Sequence, residues 1–134
     1  MPDDNKALAI RWMEDSWNLR RDATIDEMLL PDGIGYLEGR TIRGPAEFHE
    51  VRRELIAAFP DIHIRIEGAV AEGDAVVLRW RLLGTHKGAG MGLRPTGKPL
   101  DVVGSTWFRF TGGKITEGHD TWNQGGLLAY LSQP

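Results

Sequence analysis

An α+β fold is predicted for this chain, and three observations predict it. Up to Pro60 the apolar residues recur at helical spacing. From Ile62 onward they alternate with polar ones, as in strands buried on one face. Seventeen glycines supply the turns that a multi-stranded sheet needs. Helices first and strands afterwards indicate α+β rather than an alternating parallel fold. At 134 residues the chain makes one domain, spanning 1–134, large enough for its own core.

Asp3 or Asp4 caps a first helix that runs to about Asn18, with Ile10, Met13 and Trp17 on one stripe. Thr24-Ile25-Asp26-Glu27 has the pattern of a capping box. It predicts a short second helix that turns Met28, Leu29 and Leu30 inward, with Pro31-Asp32-Gly33 as its stop. Ile34 to Glu38 reads as a short strand. Gly44-Pro45 opens a third helix, because proline suits the first helical position; Phe48, Val51, Leu55 and Phe59 form its inner stripe, and Pro60 ends it.

The period then changes. Ile62, Ile64 and Ile66 alternate with His63, Arg65 and Glu67, and Glu72-Gly73-Asp74 makes a turn. Val76, Leu78, Trp80 and Leu82 face inward on the next strand, and His86 ends it on the same parity. A glycine-rich loop, Lys87 to Gly97, leads into a strand with Leu100, Val102, Gly104, Thr106, Phe108 and Phe110 on one face. Thr111-Gly112-Gly113 is a turn, Lys114 to Asn123 the last strand, and Leu127 to Leu131 a short tail.

The candidate chemical centre is Asp120, and its face depends on the turn at 111–113. A three-residue loop with Gly113 in the left-handed slot sets Phe110 opposite Lys114 and Asp120 opposite Gly104. Asp120 then shares the apolar face of Val102, Phe108 and Phe110. A two-residue loop, Gly112-Gly113, flips the parity and leaves Asp120 on the outer face beside Trp107 and Arg109, since a one-residue slip inverts every side chain. On the first register the outer face collects Arg65, Glu67, Arg79, Arg81, Asp101, Arg109, Glu117 and His119 as cross-strand pairs, with Trp107 and Ile115 adding apolar area. Such a mixture suits a homodimer interface or a wetted sheet.

Composition excludes several classes. A net charge of −3 without a basic block argues against nucleic acid as the partner. With no cysteine there is neither a disulfide framework nor a thiolate metal site, and no other spacing suggests a metal. The N-terminus resembles neither a signal peptide nor a membrane span, so a cytoplasmic protein with no membrane partner is the expectation. Gly88-Ala89-Gly90-Met91-Gly92 lacks the helix and Lys-Ser/Thr of a phosphate loop. It is read instead as a flap at a cavity mouth, with Met91 and Leu93 as adaptable apolar contacts. Five tryptophans are available as packing or as cavity wall. Trp12, Trp80 and Trp122 are the candidates for the wall, and Trp17 and Trp107 for helix packing and interface. His86 either lines the cavity or pins the neighbouring loop.

Several segments resemble one family in order and spacing: Trp17-Asn18, Ala58-Phe59-Pro60-Asp61, Ala71-Glu72-Gly73-Asp74, Arg79-Trp80, Gly84-Thr85-His86, Pro95-Thr96-Gly97, Phe108-Arg109-Phe110, Gly113-Lys114-Ile115 and Glu117 to Trp122. These are similar to the SnoaL-like polyketide cyclases of the NTF2-like superfamily, over nearly the whole chain. The resemblance implies a cone: a curled antiparallel sheet wrapped by N-terminal helices around an apolar cavity. It implies aldol-type ring closure on a hydrophobic polyketide-like molecule, no cofactor, a homodimer, and an aspartate acid/base at the position of Asp120. It also supports the three-residue turn. Thr106 stands where the characterised cyclases have an assisting histidine, and Tyr36 where another polar side chain faces the cavity.

The chemistry suits a carboxylate whose pKa apolar walls lift towards neutrality, with Leu78, Trp80, Phe108 and Trp122 as those walls. Three readings stand: a cyclase or isomerase acting through Asp120, a binding protein for an apolar small molecule, or a structural dimer with a filled cavity.

Overall fold

The computed structural model describes residues 2–90 and 92–134, without the side chains of Pro2 and Asp3. Helix α1 (Pro2–Met13) runs into a π-helical turn at Glu14–Asn18, followed by α2 (Asp22–Met28), strands β1 (Leu29–Leu37) and β2 (Arg40–Arg43), and α3 (Gly44–Ala58). Then come β3 (His63–Glu72), β4 (Ala75–Thr85), β5 (Pro99–Thr111), β6 (Lys114–Trp122) and α4 (Gln124–Leu131). The strands form one six-stranded sheet in the order β2-β1-β6-β5-β4-β3. The α+β class is as predicted. The sheet is not wholly antiparallel, because β1 runs parallel to β6.

The inner face is the one anticipated on β4 and β5. Val76, Leu78, Trp80, Leu82, Leu100, Thr106, Phe108 and Phe110 are all buried, and α1 and α3 supply Trp12, Met13 and Ala58 against them. Alternation decides this face because one sheet side is covered by helices and the other is not. The outer side carries the expected charge pairs: Glu67 with Arg65, Arg79 and Arg81, Arg81 with Asp101, and Arg109 with Asp74 and Glu117.

Three elements differ from expectation for identifiable reasons. First, α2 starts at Asp22, so Thr24 is not its cap. The fully buried Thr24 hydroxyl donates to Asp15 Oδ2 (2.7 Å) and accepts from Arg21, while Glu27 pairs with Arg21 instead of closing a capping box. Second, Pro31-Asp32-Gly33 does not stop a helix. It lies within β1, where the pairing with β6 jumps from Leu29↔Ile115 to Ile34↔Glu117, and proline is tolerated in such an unpaired stretch because no ladder N–H is missed. Third, β2 is not foreseen from the sequence, because a four-residue strand is too short to show a period.

The π-helical turn also has a cause. The Asn18 side chain donates to Ile64 O (2.8 Å) and accepts from Ile64 N–H (2.7 Å), so it pairs like one more strand residue along the edge strand β3. The buried Arg52 of α3 holds the same turn by donating to Ser16 O, at 2.7 Å, and to Asp22.

Candidate active site

Asp120 reaches the inner face by a route other than the one anticipated. The hairpin loop is the two-residue Gly112-Gly113, with Thr111 opposite Lys114. Both glycines have positive φ, 56° and 78°, as the twist-matched two-residue turn requires. By itself that loop would put Asp120 outside. A bulge between Arg109 and Phe110 takes up Thr116 as an extra residue: the register passes from Phe110↔Ile115 to Arg109↔Glu117. The parity flips back, and Asp120 faces inward opposite Thr106, not Gly104, with Trp122 opposite Gly104. Ile115, on the turn side of the bulge, is buried in the core rather than adding to the outer face. Thr116 Oγ1 bonds back to Arg109 O at 3.1 Å across the bulge.

A directed chain of hydrogen bonds ends on the Asp120 carboxyl. Trp80 Nε1 donates to Thr106 Oγ1 (2.9 Å), and Thr106 Oγ1 donates to Asp120 Oδ1 (2.7 Å). The direction follows from chemistry: an indole N–H only donates, so the threonine oxygen accepts it and its own hydrogen goes to the carboxylate. Oδ2 accepts no hydrogen bond from the described residues and is not sealed from the surrounding space. Burial pushes the Asp120 carboxyl up to about 6; the Thr106 bond and the nearby His119 pull the other way, and the negative charge of Glu38 adds to the lift.

Three chambers meet at Asp120. One inner arm, about 40 Å³, lies among Trp12, Ile34, Phe48, Thr106 and Phe108. The other, about 50 Å³, lies among Met13, Trp17, Trp80, Thr106 and Trp122. The outer chamber, about 190 Å³, is bordered by Trp17, Phe48, Trp122 and Leu128 and by the polar Glu38, Arg40, Glu54 and Gln124. Arg40 and Glu54 are paired at 3.6 Å.

Trp12, Trp80, Thr106, Phe108 and Trp122 are thus brought together around Asp120. Tyr36 is not. It lies on the outer face, 39% exposed, stacked on His119 at 4.5 Å, because it is paired with His119 in the parallel β1–β6 register. His86 pins the loop. Fully buried against Phe59, it meets both the Thr96 hydroxyl (3.0 Å) and the Thr96 backbone N–H (3.2 Å) at Nδ1, and it borders none of the three chambers. Met91 lies outside the described residues. Leu93 packs on the core rather than on a chamber, and Gly88 donates its N–H to Ala58 O at the end of α3. A Cβ at Gly88 would fall 1.7 Å from Ala57 O, so this part of the loop is seated on α3 and is not a flap over Asp120.

Glu38, Arg40 and Glu54 are not signalled by the sequence, because they meet only when the β1–β2 turn folds over α3. Trp17 and Phe48, expected in helix packing, border the chambers as well. Among the described residues no group of three or more His, Cys, Asp or Glu side chains converges as a metal site, and no helix is long and apolar enough to cross a membrane.

Comparison with known proteins agrees with this fold. The family model described as SnoaL-like polyketide cyclase matches residues 7–131. A candidate SnoaL-like polyketide cyclase from Jannaschia sp. CCS1 superposes with a TM-score of 0.92 at 22% identity, covering 99% of this chain and 94% of that one. AclR of Streptomyces galilaeus, a candidate hydroxylase, has a TM-score of 0.86 at 29% identity, covering 100% of both chains. IdmH of Streptomyces antibioticus, a candidate polyketide cyclase, has a TM-score of 0.80 at 26% identity, covering 99% of both. No curated protein sequence matches the chain.

Proposed function

The chain belongs to the SnoaL-like polyketide cyclase family, and within it we propose that Asp120 is a lone general acid/base acting on an apolar, polyketide-like carbonyl compound. The observation that carries this reading is one carboxyl with its pKa lifted to about 6, one oxygen held by Thr106 at 2.7 Å and the other open to the chambers. A carboxyl lifted to about 6 is still mostly ionised at neutral pH, so it can take a proton, and it holds that proton until its return better than an ordinary carboxylate would.

In the reaction proposed, Oδ2 takes a proton from a carbon lying between two carbonyls. The enolate carbon attacks a further carbonyl carbon of the same molecule, beyond the two that flank it, forming the ring C–C bond and an alkoxide. Protonated Asp120 then returns the proton to that alkoxide, so the carboxylate is regenerated and no electrons are exchanged with the enzyme. The apolar inner arms accept the hydrocarbon part, while the outer chamber, with Glu38, Arg40 and Gln124, accepts the polar end. The hydroxylase name of AclR sets a second reaction class beside ring closure; abstraction of an acidic C–H or O–H proton is a step that Asp120 could serve in either.

A binding protein without turnover is the second reading, favoured by the small inner arms and by Thr106 at the position of the assisting histidine. Asp120→Asn separates the two. A loss of at least about a hundredfold in turnover of a β-dicarbonyl polyketide ester, with its binding retained, supports the enzyme, since general acid–base groups contribute about 10²–10⁴. Full activity in Asp120→Asn would sink it. We further propose that a second copy of this chain packs against the outer face of the sheet.

A further inference from the structure

We infer that Trp80 is a positioning residue for proton transfer: its indole N–H, seated in the space left by Gly104, turns the Thr106 hydroxyl onto Oδ1 of Asp120 and so reserves Oδ2 for the travelling proton. The inference rests on the reading of Asp120 as acid/base and adds the device that makes its two oxygens unequal.

Three strands build the device. Trp80 on β4 is paired with Gly104 on β5, and Thr106, two residues along β5, is paired with Asp120 on β6. The indole lies across Gly104: a Cβ there would stand 2.5 Å from Trp80 Cη2 and 2.8 Å from Thr121 O. Glycine alone leaves that space, and the ring that fills it carries Nε1 to Thr106 Oγ1 at 2.9 Å. Trp80 and Thr106 are 5% and 3% exposed, so water does not substitute freely for either partner.

Without the indole the hydroxyl could rotate and accept a proton from a protonated Oδ1, and the two carboxyl oxygens would become interchangeable. With the indole donating, its oxygen is engaged by a group that cannot accept, and its hydrogen points to Oδ1. Donation into the hydroxyl also polarises it and strengthens its own donation to the carboxylate. Proton exchange with substrate is thereby confined to the oxygen open to the chambers.

The Asp120 carboxyl carbon, followed by NMR across pH in the substrate-free protein, tests this. Trp80→Phe should raise the Asp120 pKa by about half a unit or more, although Trp80 makes no hydrogen bond to it; Thr106→Val should raise it further, and Thr106→Ser should leave it near wild type, because a hydrogen bond to the charged form is what is lost or kept. Gly104→Ala, which displaces the indole, should behave like Trp80→Phe. Loosened packing alone would admit water and move the value down, so a fall or no change in Trp80→Phe overturns the inference. If Trp80→Phe does not fold, the Trp80 indole is replaced by benzothiophene, the same shape without the N–H, and the same rise or its absence decides. The titration needs no substrate, so its failure is distinct from the failure of Asp120→Asn to lose turnover.

Discussion

The Asp120 carboxyl titrates near 6 in the fold against an ordinary 3.8, mainly because burial disfavours the anion. Below the ordinary value both folded and unfolded chains are protonated and nothing is lost. As pH rises from about 4 through about 6, the unfolded chain ionises first, and the folded state loses roughly 3 kcal/mol that it does not regain at higher pH. Asp120→Asn should therefore stabilise the protein at pH 8 by about 1–2 kcal/mol, less than the full amount because the Thr106 hydrogen bond is altered, and should give no gain at pH 4. Denaturant unfolding at the two pH values measures this; a destabilised variant at pH 8 would contradict the buried-anion account. Glu38 sharpens the same effect, as a second carboxylate bordering the outer chamber while accepting the Trp122 backbone N–H at 3.3 Å.

At the scale of elements the β5–β6 hairpin is decisive. Two features of opposite effect, the two-residue turn and the Thr116 bulge, restore the parity that a three-residue turn would have produced. The turn expected from sequence therefore puts Asp120 on the correct face through the wrong loop, two positions out of register along β5. Thr111-Gly112-Gly113 alone does not discriminate between the two turns. Both place glycine well, and the bulged residue is a threonine whose type suits an ordinary strand position. Deleting Thr116 removes the compensation. Ile115 and Asp120 can then no longer both face inward, and the variant should lose at least about 3 kcal/mol if Ile115 leaves the core, or show an ordinary aspartate titration if Asp120 leaves it. Unfolding and carboxyl NMR together read this outcome; a variant unchanged in both would show that the bulge does not set the register.

For the whole molecule, the sheet has two different faces. The inner one is closed by helices. The outer one combines charge pairs with Trp107, which Arg109 covers at 4.9 Å, the half-exposed Val77 and the Tyr36–His119 stack. A second copy on this face would bury aromatic area inside a charged rim, the pattern of specific interfaces. Trp107→Glu should convert a dimer to a monomer in sedimentation, with at least about a hundredfold weaker association if Trp107 is a central anchor. A wild-type monomer, or a variant that sediments unchanged, would refute the interface.

Legible in the residues alone are the α+β class, the inner faces of β4 and β5, the third helix with its Gly44-Pro45 start, and Asp120 as the candidate carboxylate. Alternation and capping are local, so each can be read within a few positions. Other features arise only when the chain folds: the π-helical turn held by Asn18 and Arg52, the parallel β1–β6 pair that sends Tyr36 outward, the seat of His86 against its loop, and Glu38 at the outer chamber. These depend on distant partners or on an irregular register, and no periodic pattern encodes which distant backbone or side chain will complete a hydrogen bond. The same holds for the proton's place on Asp120: the carboxylate is a matter of sequence, but its two unequal oxygens arise from three strands bringing Trp80, Gly104 and Thr106 into contact.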